Sequence, residues 1–145
     1  MHRLIEFAGN HPYLVAAVVL MIAVVIVSEM RARIQALGAV STNDAIRLMN
    51  QHALVIDVRA PEQYQTGHIA EARNLERKTL AASVDSLKKY REKPVLAYCD
   101  TGTEGSAAAR ELAKLGFQKV FHLRGGLNAW RQENLPLARG EGKRK

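Results

Sequence analysis

The sequence predicts an α/β fold: a central, mostly parallel sheet flanked by helices, preceded by one transmembrane helix. Three observations carry that reading. Apolar, β-rich runs at 53–58, 94–98 and 120–123 alternate with helical stretches, the pattern of strand–helix–strand units. Glycines at 67, 116 and 125–126 punctuate the changes between them. Asp57 and Cys99 fall at the carboxyl ends of two of the strands, where open sheets of this class hold their reactive groups. The chain divides into a stub (1–11), an apolar helix (12–28), a linker (29–40), one compact domain (41–138) and a basic tail (139–145).

The elements follow in order. Ser41 caps a short helix, with Asp44 in its first turn and Ala45, Ile46, Leu48 and Met49 on its apolar face. The run 53–58 is a buried strand. Pro61 opens a helical turn through Tyr64, which Gly67 ends. Residues 69–75 form a short edge strand. Ser83 caps a helix over 84–90. The strand 94–98 leads into a glycine-bearing loop and a helix from about 103 to 115, which stops at Gly116. After the strand 120–123, Gly125-Gly126 turns the chain into a helix carrying Leu127 and Trp130.

Composition narrows the classes. A chain of 145 residues has room for one domain with its own core. A single cysteine excludes an internal disulfide and any Cys-rich metal site, which suits a reducing compartment. No metal-ligand cluster and no cofactor motif is expected. Gly125-Gly126 lacks the Gly-x-Gly-x-x-Gly pattern and reads as a plain turn. The net charge of +7 owes much to the tail, either a solvated end or a contact for anionic lipid. No basic stripe interleaved with aromatics points to nucleic acid.

Residues 12–28 carry no charge, a run of 17 residues or about 25 Å of helix. It lies at the short end of the spanning range and is apolar on every face. A cleaved signal peptide is the rival reading. It wants positive charge before the run and a small-residue site just after it. Here Glu29, Arg31 and Arg33 follow the run, and only Arg3 precedes it, opposed by Glu6. An uncleaved single-pass anchor is therefore expected. The Lys/Arg bias places the domain in the cytoplasm, which in a bacterium means the inner membrane.

Cys99 opens the loop Asp100-Thr101-Gly102-Thr103-Glu104-Gly105 between a strand and an Ala-rich helix. Unpaired backbone N–H groups and the positive end of a helix dipole at such a turn favour a thiolate. From the loop alone, a reactive cysteine and a small buried hydrophobe both stand.

Further residues add a resemblance. Asp57-Val58-Arg59, Glu62, Tyr64, Gly67-His68-Ile69, Ala72 and Asn74 resemble the first signature of rhodanese domains. Cys99 with Gly102, then Gly116-Phe117, Val120, Leu123, Gly125-Gly126 and Trp130 resemble the second half. The likeness covers about 41–138. With the apolar helix it is similar to the single-span membrane rhodaneses of bacteria, the family called YibN. The resemblance implies a sulfurtransferase. The loop cysteine takes sulfane sulfur from a donor such as thiosulfate or a persulfide, holds it as a persulfide, and passes it to a thiol or cyanide. Lacking a second cysteine, the chain must hand its sulfur to an external acceptor.

The resemblance also exposes departures. The family commonly places an arginine then a serine where this chain has Glu104 and Gly105. An inward glutamate would repel thiosulfate and disfavour the thiolate. An outward one sits well in the first helical turn, and that orientation is expected. Either way the usual anion clamp is missing, so weak thiosulfate activity or a different donor is expected. The absent arginine also argues against the related cysteine phosphatases. Glu71 replaces a family glycine. Asp57 and Arg59 are read as supporting residues, His68 as a fold signature, and His122 and Trp130 as packing residues.

Two functional classes remain open at this stage, with a third behind them. One is a membrane-tethered enzyme acting through Cys99. The second is a catalytically silent docking module for a membrane or cytosolic protein partner. The third is a thiol redox sensor.

Overall fold

The structure, a computed structural model, describes residues 10–36 and 38–140, with the backbone alone for 29–36. It comprises two compact units, 1–37 and 38–145. In the first, helix α1 runs Pro12–Ala36. Its described side chains over 12–28 are exposed, Leu20 at 67%. Among the described residues no helix is long and apolar enough to cross a membrane. This corrects the expected span. The uncharged run of 17 residues reaches about 25 Å, against a hydrocarbon core of about 30 Å. The stub before residue 10 and the tail from 141 lie outside the described residues.

The second unit is built on five parallel strands in the order β1-β5-β4-β2-β3. They are β1 (Ala39–Val40), β2 (Leu54–Asp57), β3 (Arg73–Asn74), β4 (Pro94–Tyr98) and β5 (Lys119–Leu123). Helices α2 (Thr42–Asn50), α3 (Pro61–Thr66), α4 (Leu80–Ser83) and α5 (Thr103–Lys114) connect them, and α6 (Gly126–Gln132) follows the last strand. Parallel strands need such crossovers, because a hairpin cannot return the chain in the same direction.

The adjacent strands β2 and β4 are buried and apolar but for Asp57 at the end of β2, because both faces of the sheet are covered there. Alternation still sorts their side chains. Leu54, Ile56, Val95, Ala97 and Cys99 pack with Leu80, Val84, Leu87, Ala108 and Leu112. Val55, Leu96 and Tyr98 pack on the other side with Ala45, Tyr64, Leu127 and Trp130. Cys99 therefore lies on the α5 side. Tyr98 is fully buried, and its Oη accepts the Ile69 N–H at 3.0 Å. Burial, with the nearby Asp57 charge, pushes its phenol pKa up and keeps it protonated.

Several local expectations change. The stretch read as a linker holds helical backbone to Ala36 and the edge strand β1, which pairs with His122 and Leu123 of β5. Two residues are too few to show a period. Residues 84–90 form a 3₁₀-helix rather than an α-helix, and Ser83 does not cap it, because its Oγ donates to the Thr79 carbonyl. The edge strand is cut to Arg73–Asn74. Upstream, His68 bridges Ala138 in antiparallel fashion, and Glu71 turns the chain with φ of +63°.

Glu71 is thus an exposed non-glycine residue in the left-handed region, at the place where the resemblance expects glycine. That conformation crowds its Cβ. Glu71→Gly is expected to stabilise the domain by about 1 kcal/mol, the relief of strain exceeding the added unfolded-state entropy. Urea denaturation at neutral pH reads the difference.

Candidate active site

The site is a loop held from three sides. Cys99 follows β4 and is 4% exposed. Three residues on, Gly102 has φ of +99° and returns the chain so that its N–H donates to Cys99 Sγ at 3.0 Å. A Cβ at Gly102 would lie 3.2 Å from Gly125 N and 3.3 Å from Leu123 O, so backbone angle and space both require glycine. Helix α5 starts at the next residue. Ser106 N bonds Gly102 O, while the N–H groups of Thr103, Glu104 and Gly105 find no acceptor among the described residues. Those are the orphan donors of a helix start, placed beside the sulfur-bearing loop.

Helix α5 comes this close because Gly105 faces β4. A Cβ there would sit 3.0 Å from Tyr98 Cα and 3.3 Å from Cys99 N. Gly105, where the family commonly has serine, thus allows the close approach of helix to strand.

The second support is the start of α6. Leu127 N donates to Cys99 O at 2.8 Å and Asn128 N to Asp100 O at 3.0 Å. Both loop carbonyls are thereby held by the start of α6. Gly126 permits the contact: with φ of +58°, any Cβ would collide with Cys99 O and lie 2.6 Å from Asp100 C. Gly125-Gly126, read from sequence as a plain turn, is part of the cysteine cradle. The sequence signal is the doubled glycine, and nothing local says what packs on it.

The third support is Arg59. Its Nε and Nη2 engage the fully buried Asp57 carboxylate at 2.7–3.1 Å. Nη2 also reaches Gly67 O at 2.7 Å, and Nη1 reaches Asp100 Oδ1 at 3.0 Å. Burial opposes the guanidinium charge, but the Asp57 and Asp100 carboxylates outweigh it and hold its pKa above the ordinary value. Asn74 Nδ2 closes the knot on Asp57 O and Arg59 O. Asp57 and Arg59 therefore position the loop.

The remaining sequence candidates separate. Thr101 and Thr103 are exposed on the loop, their hydroxyls 3.5 Å apart. His68 is buried and stacked on Tyr64 at 3.7 Å, with Nδ1 2.8 Å from Tyr64 O. It does not line the Cys99 cleft. His122 is half-buried on β5, where burial and then Arg110 and Arg124 push its pKa down. Trp130 donates Nε1–H to Pro136 O within the core.

Cys99 opens on a cleft of about 730 Å³. Glu104 is 55% exposed, and its Oε2 bonds Arg77 Nη1 at 2.7 Å. Arg77, from the 3₁₀ turn Arg77–Thr79, also lies 4.0 Å from Glu111. Among the described residues lining the cleft, three are cationic (Arg59, Arg77, Lys78) and four are carboxylates (Glu76, Asp100, Glu104, Glu111). The cleft is not a cationic basin. Arg77 escaped sequence analysis because its segment has no periodicity, and its partner is 27 positions away.

A parallel five-stranded sheet with a cysteine loop after its central strand defines the class, and the comparisons name it. The model of the rhodanese-like domain matches residues 41–133, and the chain belongs to that family. It is 34% identical over 143 residues to the uncharacterized protein YibN of Escherichia coli (strain K12), covering 97% of this chain and all of that one. It is 30% identical over 99 residues to the thiosulfate sulfurtransferase GlpE of Vibrio cholerae serotype O1, covering 68% of this chain and 92% of that one. The crystal structure of a rhodanese-related protein from Thermoplasma volcanium superposes with a TM-score of 0.63 at 26% identity, covering 70% of this chain and 97% of that one.

Proposed function

We propose that the protein is a sulfurtransferase that carries sulfane sulfur on Cys99. The observation that carries this reading is the bond from Gly102 N–H to Cys99 Sγ, beside the orphan amides of the α5 start. Backbone donors aimed at sulfur stabilise negative charge there, first on the thiolate and then on the persulfide. With thiosulfate, the Cys99 thiolate attacks the outer sulfur, the S–S bond breaks, and sulfite leaves with the bonding pair. With an alkyl persulfide, attack on its terminal sulfur expels the alkyl thiolate. A thiolate or cyanide acceptor then takes the outer sulfur and regenerates the Cys99 thiolate. Glu104, where the family commonly has arginine, makes thiosulfate the poorer donor.

Intact-mass spectrometry tests this on the full chain, incubated separately with thiosulfate and with an alkyl persulfide. One added sulfur is expected, more completely with the persulfide, lost on addition of cyanide and absent in Cys99→Ser. Folded protein that gains no sulfur from either donor rejects the reading in favour of a docking module.

We further propose attachment to the inner membrane of a bacterial cell, with the rhodanese domain in the cytoplasm. The support is the exposure of the uncharged helix surface over 12–28, which water does not tolerate well, together with Arg31 and Arg33 at its carboxyl side. The full chain is expected to sediment with membranes at neutral pH. Recovery in the supernatant rules out the attachment.

A further inference from the structure

We propose that Arg77 is the anion-recognising group of this cleft, and that Glu104 holds it in reserve. The ion pair is a latch that sets donor specificity: it disfavours doubly charged donors such as thiosulfate and admits donors of lower charge, such as an alkyl persulfide. The inference rests on the sulfur-transfer reading for its biological meaning, but its geometry stands apart from it.

Arg77 lines the same cleft as Cys99, yet it comes from the turn after β3, outside the cysteine loop. Its guanidinium is held by Glu104 at 2.7 Å and faces Glu111 at 4.0 Å. The bond and charge of Glu104 keep its pKa above the ordinary value. Glu104 lies in the first turn of α5, five positions after Cys99, so the pair lines the same cleft as the sulfur. A dianion entering the cleft meets the Glu104 carboxylate and finds the Arg77 guanidinium already neutralised, which leaves Lys78 as the cleft cation with no ion pair among the described residues. Arg59 cannot serve instead, because Asp57, Gly67 and Asp100 occupy its guanidinium. A singly charged or neutral donor meets less repulsion and needs no clamp. The pair is exposed, so the barrier is graded rather than absolute.

Alkylation of Cys99 tests the latch without requiring sulfur transfer. Iodoacetate and iodoacetamide each replace iodide with a Cys99 thioether and differ mainly in charge. Their rate ratio cancels the thiolate fraction, and Cys99 is the only cysteine. Glu104→Gln is expected to raise the iodoacetate-to-iodoacetamide ratio about fivefold. In that background Arg77→Ala is expected to remove the whole gain. In the wild-type background, where Arg77 is engaged, the same substitution is expected to cost less than about twofold. Equal costs in both backgrounds overturn the latch, because Arg77 then acts only as a background charge. So does an unchanged ratio in Glu104→Gln. The same variants assayed with thiosulfate are expected to follow the same order. If no donor loads Cys99 while the alkylation ratios couple as expected, the sulfur-transfer reading fails and the latch stands.

Discussion

The buried Arg59 guanidinium is the contact on which the site depends. It joins three stretches: the end of β2 through Asp57, the end of α3 through Gly67, and the cysteine loop through Asp100. An ion pair out of water is costly unless its remaining donors and acceptors are used. Here the side-chain nitrogens of Arg59 are each bonded, and Asp57 also accepts the Arg59 N–H at 3.0 Å. The arrangement resists disruption at its centre, since removing either Asp57 or Arg59 leaves the other as an uncompensated buried charge. Rigidity at Asp100 is what the neighbouring sulfur requires.

The other constraint is steric. Gly102, Gly105 and Gly126 surround Cys99, and a Cβ at each would press on backbone. Gly126 lets α6 take the Cys99 and Asp100 carbonyls, and Gly105 lets α5 pack on β4. With the carbonyls tied to α6, the loop presents the Gly102 N–H to the sulfur. The polarity of the site thus comes from backbone orientation more than from charged side chains. That explains how the chain keeps a cysteine cradle although Glu104 stands where an arginine is common in the family.

Legibility in the sequence followed the range of the interactions. The strands β2 and β4 were readable because burial on both faces leaves apolar runs, and β5 because its β-rich residues Val120 and Phe121 lie between Gly116 and Gly125. The Ser41 cap was readable because its bond to Asp44 N is local. The place of Cys99, after a strand and before a helix, needed only neighbouring residues. The outward expectation for Glu104 agrees with its exposed pairing to Arg77, although that partner was invisible. β1 was missed because two residues carry no pattern, and the 3₁₀ stretch because apolar spacing alone does not separate it from an α-helix. The role of Gly126 and the presence of Arg77 in the cleft depend on contacts made only after folding.

The central claim is that fixed backbone amides, rather than a cationic side chain, hold the transferred sulfur at Cys99. A crystal structure of the persulfidated protein tests it most directly. The account predicts the outer sulfur within hydrogen-bonding distance of loop and α5 N–H groups, with the Arg59 contacts to Asp57, Gly67 and Asp100 unchanged. An outer sulfur turned away from those amides, or a loop rebuilt with Asp100 released from Arg59, would contradict it.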